Sequence, residues 1–98
     1  MNLDIATATV LKYLKQKGVG EPEGVMLISS QTIKKPYGWI FSYNSKSYVE
    51  TGDIMTALVG HGPLIFLADT GEIVECGSLL PGEEQILRFE QERGLPGV

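Results

Sequence analysis

Six consecutive apolar residues, Pro63-Leu64-Ile65-Phe66-Leu67-Ala68, run straight into Asp69-Thr70-Gly71. The run falls far short of the roughly 20 residues a membrane-spanning helix needs. Bounded by glycine before it and turn residues after it, it reads as a strand. Successive side chains of a strand point to opposite faces of the sheet. A strand apolar on both faces belongs in the centre of that sheet. Glu72 to Cys76 then reads as the returning strand of a hairpin.

The remaining elements follow from periodicity and punctuation. Leu3, Ala6, Val10 and Leu14 recur at helical spacing, so residues 3 to 17 are expected to form an amphipathic helix. Asn2 or Asp4 can cap its start, Lys12, Lys15 and Lys17 suit its end, and Gly18 stops it. Val25 to Ile33 reads as one strand and Lys34 to Gly38 as a turn. Trp39 to Tyr43 alternates, with Trp39, Phe41 and Tyr43 on one face and Ile40 and Ser42 on the other. Ser47 to Glu50 reads as extended, and Asp53 is placed to cap a short helix from Ile54 to Val59, ended by Gly60. A second long helix starts near Pro81, with Glu83 and Glu84 in its first turn and Ile86, Leu87 and Phe89 on its apolar side. Glu84 and Arg88 stand i,i+4, the spacing of a helical ion pair.

Consecutive strands joined by short turns pair antiparallel. The expected fold is therefore α+β: one small domain over residues 1 to 98. It would hold an antiparallel sheet of about four strands, with an N-terminal and a C-terminal helix packed on one face. The tail from Gly94 to Val98 is expected to be flexible.

The formal charge of −4 is unevenly spread. Residues 1 to 48 carry six lysines against Asp4, Glu21 and Glu23, and residues 49 to 98 carry nine acids against Arg88 and Arg93, so the halves stand at +3 and −7. An acidic half argues against nucleic acid, which wants a basic face, and suits a basic protein partner. The N-terminus lacks the basic and apolar segments of a signal peptide, so the expected location is the cytoplasm, with no membrane contact. Cys76 is the single cysteine; alone it makes neither an internal disulfide nor a zinc site, and it reads as a small buried apolar residue. No cofactor or metal is expected.

Asp69-Thr70-Gly71 after an apolar run is also the short signature of an aspartic-protease site. That chemistry needs two aspartates sharing a proton in a dry, constrained site, on an all-β scaffold. Here the triplet comes late, and an acidic helix follows it, so the hairpin turn is the better reading, with Gly71 at the φ > 0 position of a three-residue loop. His61, the single histidine, sits in Gly60-His61-Gly62-Pro63 with no sequence neighbour to orient it, and reads as a loop residue rather than a base or ligand. Trp39 and Phe41 read as core, whereas Tyr43 and Tyr48 are expected to be part-buried.

Gly38-Trp39-Ile40-Phe41-Ser42-Tyr43 is followed by Tyr48-Val49-Glu50-Thr51-Gly52-Asp53, then by Ala57-Leu58-Val59-Gly60-His61-Gly62-Pro63, and then by Asp69-Thr70-Gly71-Glu72-Ile73. With Gly77, a Pro-Gly-Glu-Glu helix start and Phe89-Glu90, this ordered set resembles the YrhB-like family, also called immunity protein 35. His61-Gly62 stands where that family's pattern has Gly-Asn, so no role is carried onto His61. The resemblance implies a small bacterial cytoplasmic protein, not an enzyme, that neutralises a toxin passed between competing cells. Trp39 then reads as a core anchor, and Gly52 and Gly60 as backbone punctuation. The family supplies no contact residues. The charge split selects Glu50, Asp53, Glu72 and Glu75 as candidates for contact with a basic toxin surface, and Tyr48 joins them as a part-buried tyrosine suited to an interface. A chaperone-like or housekeeping protein is the alternative, and exposed strand edges would also serve a homodimer.

Overall fold

The structure, a computed structural model, describes residues 2 to 97. Met1 and Val98, the latter the end of the expected tail, lie outside the described residues. The chain runs α1 (Leu3–Gln16), β1 (Val25–Leu27), β2 (Ile33–Lys35), β3 (Gly38–Phe41), β4 (Tyr43–Ser45), α2 (Lys46–Thr51), β5 (Leu64–Leu67), β6 (Ile73–Glu75) and α3 (Gly82–Arg93). Every strand pairing is antiparallel. A four-stranded sheet has the order β2-β3-β5-β6, and β1 and β4 form a second sheet of two strands.

β5 sits inside the larger sheet and is buried at all four positions. Its alternation feeds two separate cores. Leu64 and Phe66 pack with Phe41, Tyr43 and the Ala6, Val10, Leu14 stripe of α1. Ile65 and Leu67 pack with Tyr37, Ile40 and Ile86 of α3. The two long helices therefore cover opposite faces, not one face as the sequence suggested. The physical reason is β5 itself. With one face open, half of its apolar side chains would remain in water.

Two local assignments also change. Val25 to Ile33 is not one strand: a 3₁₀ turn at Ser29–Gln31 breaks it. The polar Ser29-Ser30-Gln31 stretch offers no apolar alternation. The Ile28 and Ser29 carbonyls accept from the Gln31 and Thr32 N–H groups at 2.9 and 3.2 Å. The chain then leaves one sheet for the other. Ser47 to Glu50 is helical rather than extended. The Ser45 hydroxyl caps α2 by accepting from the Tyr48 N–H at 3.1 Å, and Glu23 accepts from the Ser47 N–H at 2.6 Å. Gly52 ends the helix in the left-handed region.

Gly38 opens β3 at φ 153°, and a Cβ there would stand 1.9 Å from the Phe66 carbonyl oxygen. The β3–β5 contact thus requires glycine. Beneath α3 lies a buried polar group. Glu90, 6% exposed, accepts from the Tyr37 hydroxyl at 2.6 Å and faces the Lys35 ammonium at 3.1 Å. Burial, and then the hydrogen bond to Glu90, push the Tyr37 hydroxyl pKa well up, so it stays a donor. Lys35 also donates to the Gly97 carbonyl at 3.0 Å, and Leu95 packs on the α3 core.

Gly38→Ala is expected to destabilise the fold by more than about 3 kcal/mol in urea unfolding, because the clash is with backbone. Glu90→Ala leaves a largely buried ammonium and a hydroxyl without their acceptor, and should cost about 3–5 kcal/mol in the same assay. A loss below 1 kcal/mol, on the order of a surface change, would refute either account.

Candidate partner-binding surface

The segment after α2 is anchored by hydrogen bonds rather than left loose. Asp53 caps the 3₁₀ turn Ile54–Thr56, accepting from the Met55 N–H at 3.0 Å. The Ser45 hydroxyl donates to the Thr56 carbonyl at 2.7 Å, and the Asn44 side-chain oxygen accepts from the Leu58 N–H at 2.7 Å. These bonds tie the loop to β4. The expected helix thus ends at Thr56, short of Val59, because Asn44 takes over the Leu58 backbone. Ile54, Met55 and Val59 are left 77%, 88% and 89% exposed. Three exposed apolar residues within six positions of one hydrogen-bonded loop are a different object from a scattered surface leucine.

Three sequence candidates lie around this cluster. Tyr48 and Glu50 sit on α2, Tyr48 half-buried and Glu50 exposed, and Asp53 is the exposed cap. Tyr48 also lines an open cleft of about 390 Å³ with Tyr43, Asn44 and His61. Sequence reasoning passed over Ile54, Met55 and Val59, because a six-residue segment between glycines can equally be read as a buried turn of helix. The available signal was a dense apolar group immediately after a capping acid.

Glu72 and Glu75 are not brought to the same place. They straddle β6 at opposite parity, so their side chains leave on opposite faces. Glu72 pairs with Arg93 of α3 at 3.1 Å, and Glu75 pairs with Lys17 of α1 at 2.5 Å. Glu75 also accepts from the Tyr13 hydroxyl at 2.5 Å. The Lys17 and Tyr13 hydrogen bonds hold the Glu75 carboxyl below its ordinary value, and the Arg93 bond does the same for Glu72. The partners move the other way: Lys17 is raised, chiefly by Glu75.

The other candidates of the sequence have local roles. Asp69 lies exposed on the β5–β6 turn. That turn has four residues between the Leu67–Glu72 bond and not three, with Gly71 at φ 74° and the Thr70 hydroxyl accepting from the Glu72 N–H. His61 stacks on Tyr43 at 4.4 Å, and its Nε2 donates to the Tyr43 carbonyl at 2.9 Å. Cys76 is half-buried against the α3 core, and burial raises its thiol pKa, away from nucleophilic chemistry. Tyr43 is more deeply buried than expected, at 6% exposure, and Trp39 is part-buried against Phe66. Among the described residues, no group of three or more His, Cys, Asp or Glu could hold a metal ion, and no helix is long and apolar enough to cross a membrane.

The lowered Glu75 pKa has a definite sign in stability. Its contribution is complete above the ordinary carboxylate value of 4.5 and is lost as the pH falls through the lower folded value. Glu75→Gln should therefore lose a little stability at neutral pH and fall less steeply than the parent on acidification. The effect is small, because the pair is half-exposed. Urea unfolding at neutral pH and at successively lower pH checks it; parallel pH profiles would contradict the assignment.

The model of the family described as immunity protein 35 matches residues 4–89. The chain is also similar to the uncharacterized protein YrhB of Escherichia coli (strain K12), 37% identical over 61 residues. That match covers 62% of this chain and 65% of the relative, so the chain spans just under two thirds of the relative's length. No solved structure matches. The matched span runs from the first turn of α1 to Phe89 in α3 and so takes in both cores. The chain belongs to the immunity protein 35 family.

Proposed function

We propose that this chain is a non-enzymatic immunity protein that neutralises a cognate toxin by stoichiometric contact in the cytoplasm. The observation that carries the choice of surface is the exposed Ile54, Met55 and Val59 cluster rimmed by Glu50 and Asp53. Protein interfaces have this anatomy, an apolar centre within a polar rim. Pinned to β4, the cluster loses little conformational freedom on binding. Tyr48 adds an aromatic flank of the kind enriched at hot spots. Glu50 and Asp53 stand in no ion pair among the described residues, so their field is available to steer a basic toxin surface. Glu72 and Glu75, already ion-paired within the chain, add to the acidic field rather than to the centre of the contact.

The exposed apolar cluster also suits a chaperone-like protein, and the two readings separate by partner number and salt dependence. The first experiment is a pull-down from the native bacterium, read by mass spectrometry. Recovery of one secreted multidomain toxin at near-equal stoichiometry supports immunity; many unrelated clients support the chaperone reading. With the toxin in hand, the double variant Glu50→Lys, Asp53→Lys should slow association by about tenfold or more at low salt. Met55→Asp should act mainly on dissociation, at about 2 kcal/mol or more. If both variants protect and bind as the parent does, this surface is not the contact.

A further inference from the structure

The four outer edges of the two sheets are not treated alike. The outer strand β2 carries Lys34 and Lys35 and is followed by Pro36, the charges and proline that natural edges use against pairing. At the opposite edge, β6 is flanked by the ion-paired Glu72 and Glu75. On β4, the outward Tyr43 carbonyl is taken by His61 and the outward Ser45 N–H by the Asn44 side chain, at 2.9 and 2.8 Å. Among the described residues, the outer edge of β1 has no such device on the strand itself; the nearest charge is Lys46, which follows β4 and lines the neighbouring groove. Val25-Met26-Leu27 contains no charge and no proline.

The ladder shows which groups are open. Gly24 accepts from the Lys46 N–H, Met26 stands opposite Asn44, and Ile28 donates to the Ser42 carbonyl at 2.8 Å. In an antiparallel pair these alternate residues use their backbone toward the partner, so Val25 and Leu27 direct theirs outward. Neither residue has another backbone partner among the described residues. Beside this edge runs an apolar groove of about 530 Å³, bounded on the α1 side by Leu3, Thr7 and Leu11. Leu3 is 44% exposed and Leu11 37%.

We propose that β1 is a self-association strand, on which two copies of this chain pair antiparallel with the twofold axis at Met26. Val25 and Leu27 are symmetric about Met26, so this register alone sets each outward residue opposite an outward residue. Val25 of one copy meets Leu27 of the other, and all four outward groups of each strand find partners. Met26 faces Met26 in the pair that exchanges no hydrogen bonds. Just beyond the ladder, Glu23 comes toward Ser29 of the other copy, so no like charges are set opposite one another. A second copy satisfies all four outward groups by symmetry, brings no like charges opposite one another, and places its own apolar Val25, Met26 and Leu27 beside the groove. This surface is separate from the Ile54–Val59 cluster and holds whether or not the toxin reading does.

The test is sedimentation of the full chain over a concentration series, together with cysteine trapping. The parent should show a monomer–dimer equilibrium at high micromolar concentration. Met26→Lys places a charge at the axis in both copies and should raise the dimer dissociation constant at least about tenfold. In the proposed register the two Met26 Cα atoms lie about 4.5 Å apart, within the disulfide range of about 4.4–6.8 Å. Met26→Cys should therefore oxidise to a covalent dimer, whereas Asp69→Cys, on the distant turn, should not. If Met26→Lys fails to fold, the cysteine pair decides the matter. A parent that stays monomeric throughout overturns the proposal, as does Met26→Cys cross-linking no faster than Asp69→Cys. So does a Met26→Lys variant that folds, dimerises normally and loses only toxin binding; β1 would then receive a strand of the toxin.

Discussion

Burial of β5 on both faces is the constraint from which the rest of the molecule follows. Four residues that alternate direction and are all apolar require two covers. α1 supplies one and α3 the other, so helices at the two ends of the chain must both come back to the middle. β3 and β6 must flank β5 to satisfy its backbone, and β3 can approach only because Gly38 has no side chain. The ladder even continues past β6, with Gly62 donating to the Cys76 carbonyl at 3.1 Å. That extension fixes where the loop from Asp53 to Gly62 returns to the sheet, and so where its exposed residues are held.

Charge separation along the sequence does not survive folding. The lysine-bearing half and the acidic half meet across α1 and β6 through Lys17 and Glu75, and across β2 and α3 through Lys35 and Glu90. The first pair is half-exposed and contributes little to stability. The second is largely buried, and its value lies in geometry: Glu90 satisfies both Tyr37 and Lys35, and removing it would leave the hydroxyl without an acceptor and the ammonium without its counter-charge, with only the Gly97 carbonyl to accept from it. Pairing consumes Glu72 and Glu75, whereas Glu50 and Asp53, beside the exposed Ile54 and Met55, stand in no ion pair among the described residues. A charge count by sequence half could locate acidity but not its neutralisation.

The legible parts of the fold were those with long or unambiguous periodicity. The α1 stripe of Ala6, Val10 and Leu14 is fully buried as its spacing demands, Asn2 caps it, and the Glu84–Arg88 pair forms at 3.1 Å. The central strand and its turn were readable because apolar density and turn residues coincide there. The three-residue strands β1 and β2 were not. β1 and β2 are separated only by a 3₁₀ turn, and no period can be established over so few residues. α2 is six residues long and owes its helicity to the Ser45 cap and to Glu23, 24 positions from Ser47. The exposed residues Ile54, Met55 and Val59 were hidden for a related reason: the bonds from Ser45 to Thr56 and from Leu58 to Asn44, which hold their loop on β4, join residues 11 and 14 positions apart.

The smaller sheet therefore has a different part from the larger one. Apart from Ile33, Leu79 and Leu87, the large exposed apolar residues lie on α1, on β1 or in the loop tied to β4. Among the described residues, β1 and β4 are each other's only strand partners, so the proposed toxin surface and the proposed twofold surface act on one strand pair from its two sides. A ladder across the twofold axis would join two such pairs into one four-stranded ribbon, β4-β1-β1-β4. Each copy would then present its Ile54–Val59 loop at an outer end, leaving both loops clear of the axis. The two proposals thus use different sides of the strand pair, and the stoichiometry they imply together is two toxins on two copies.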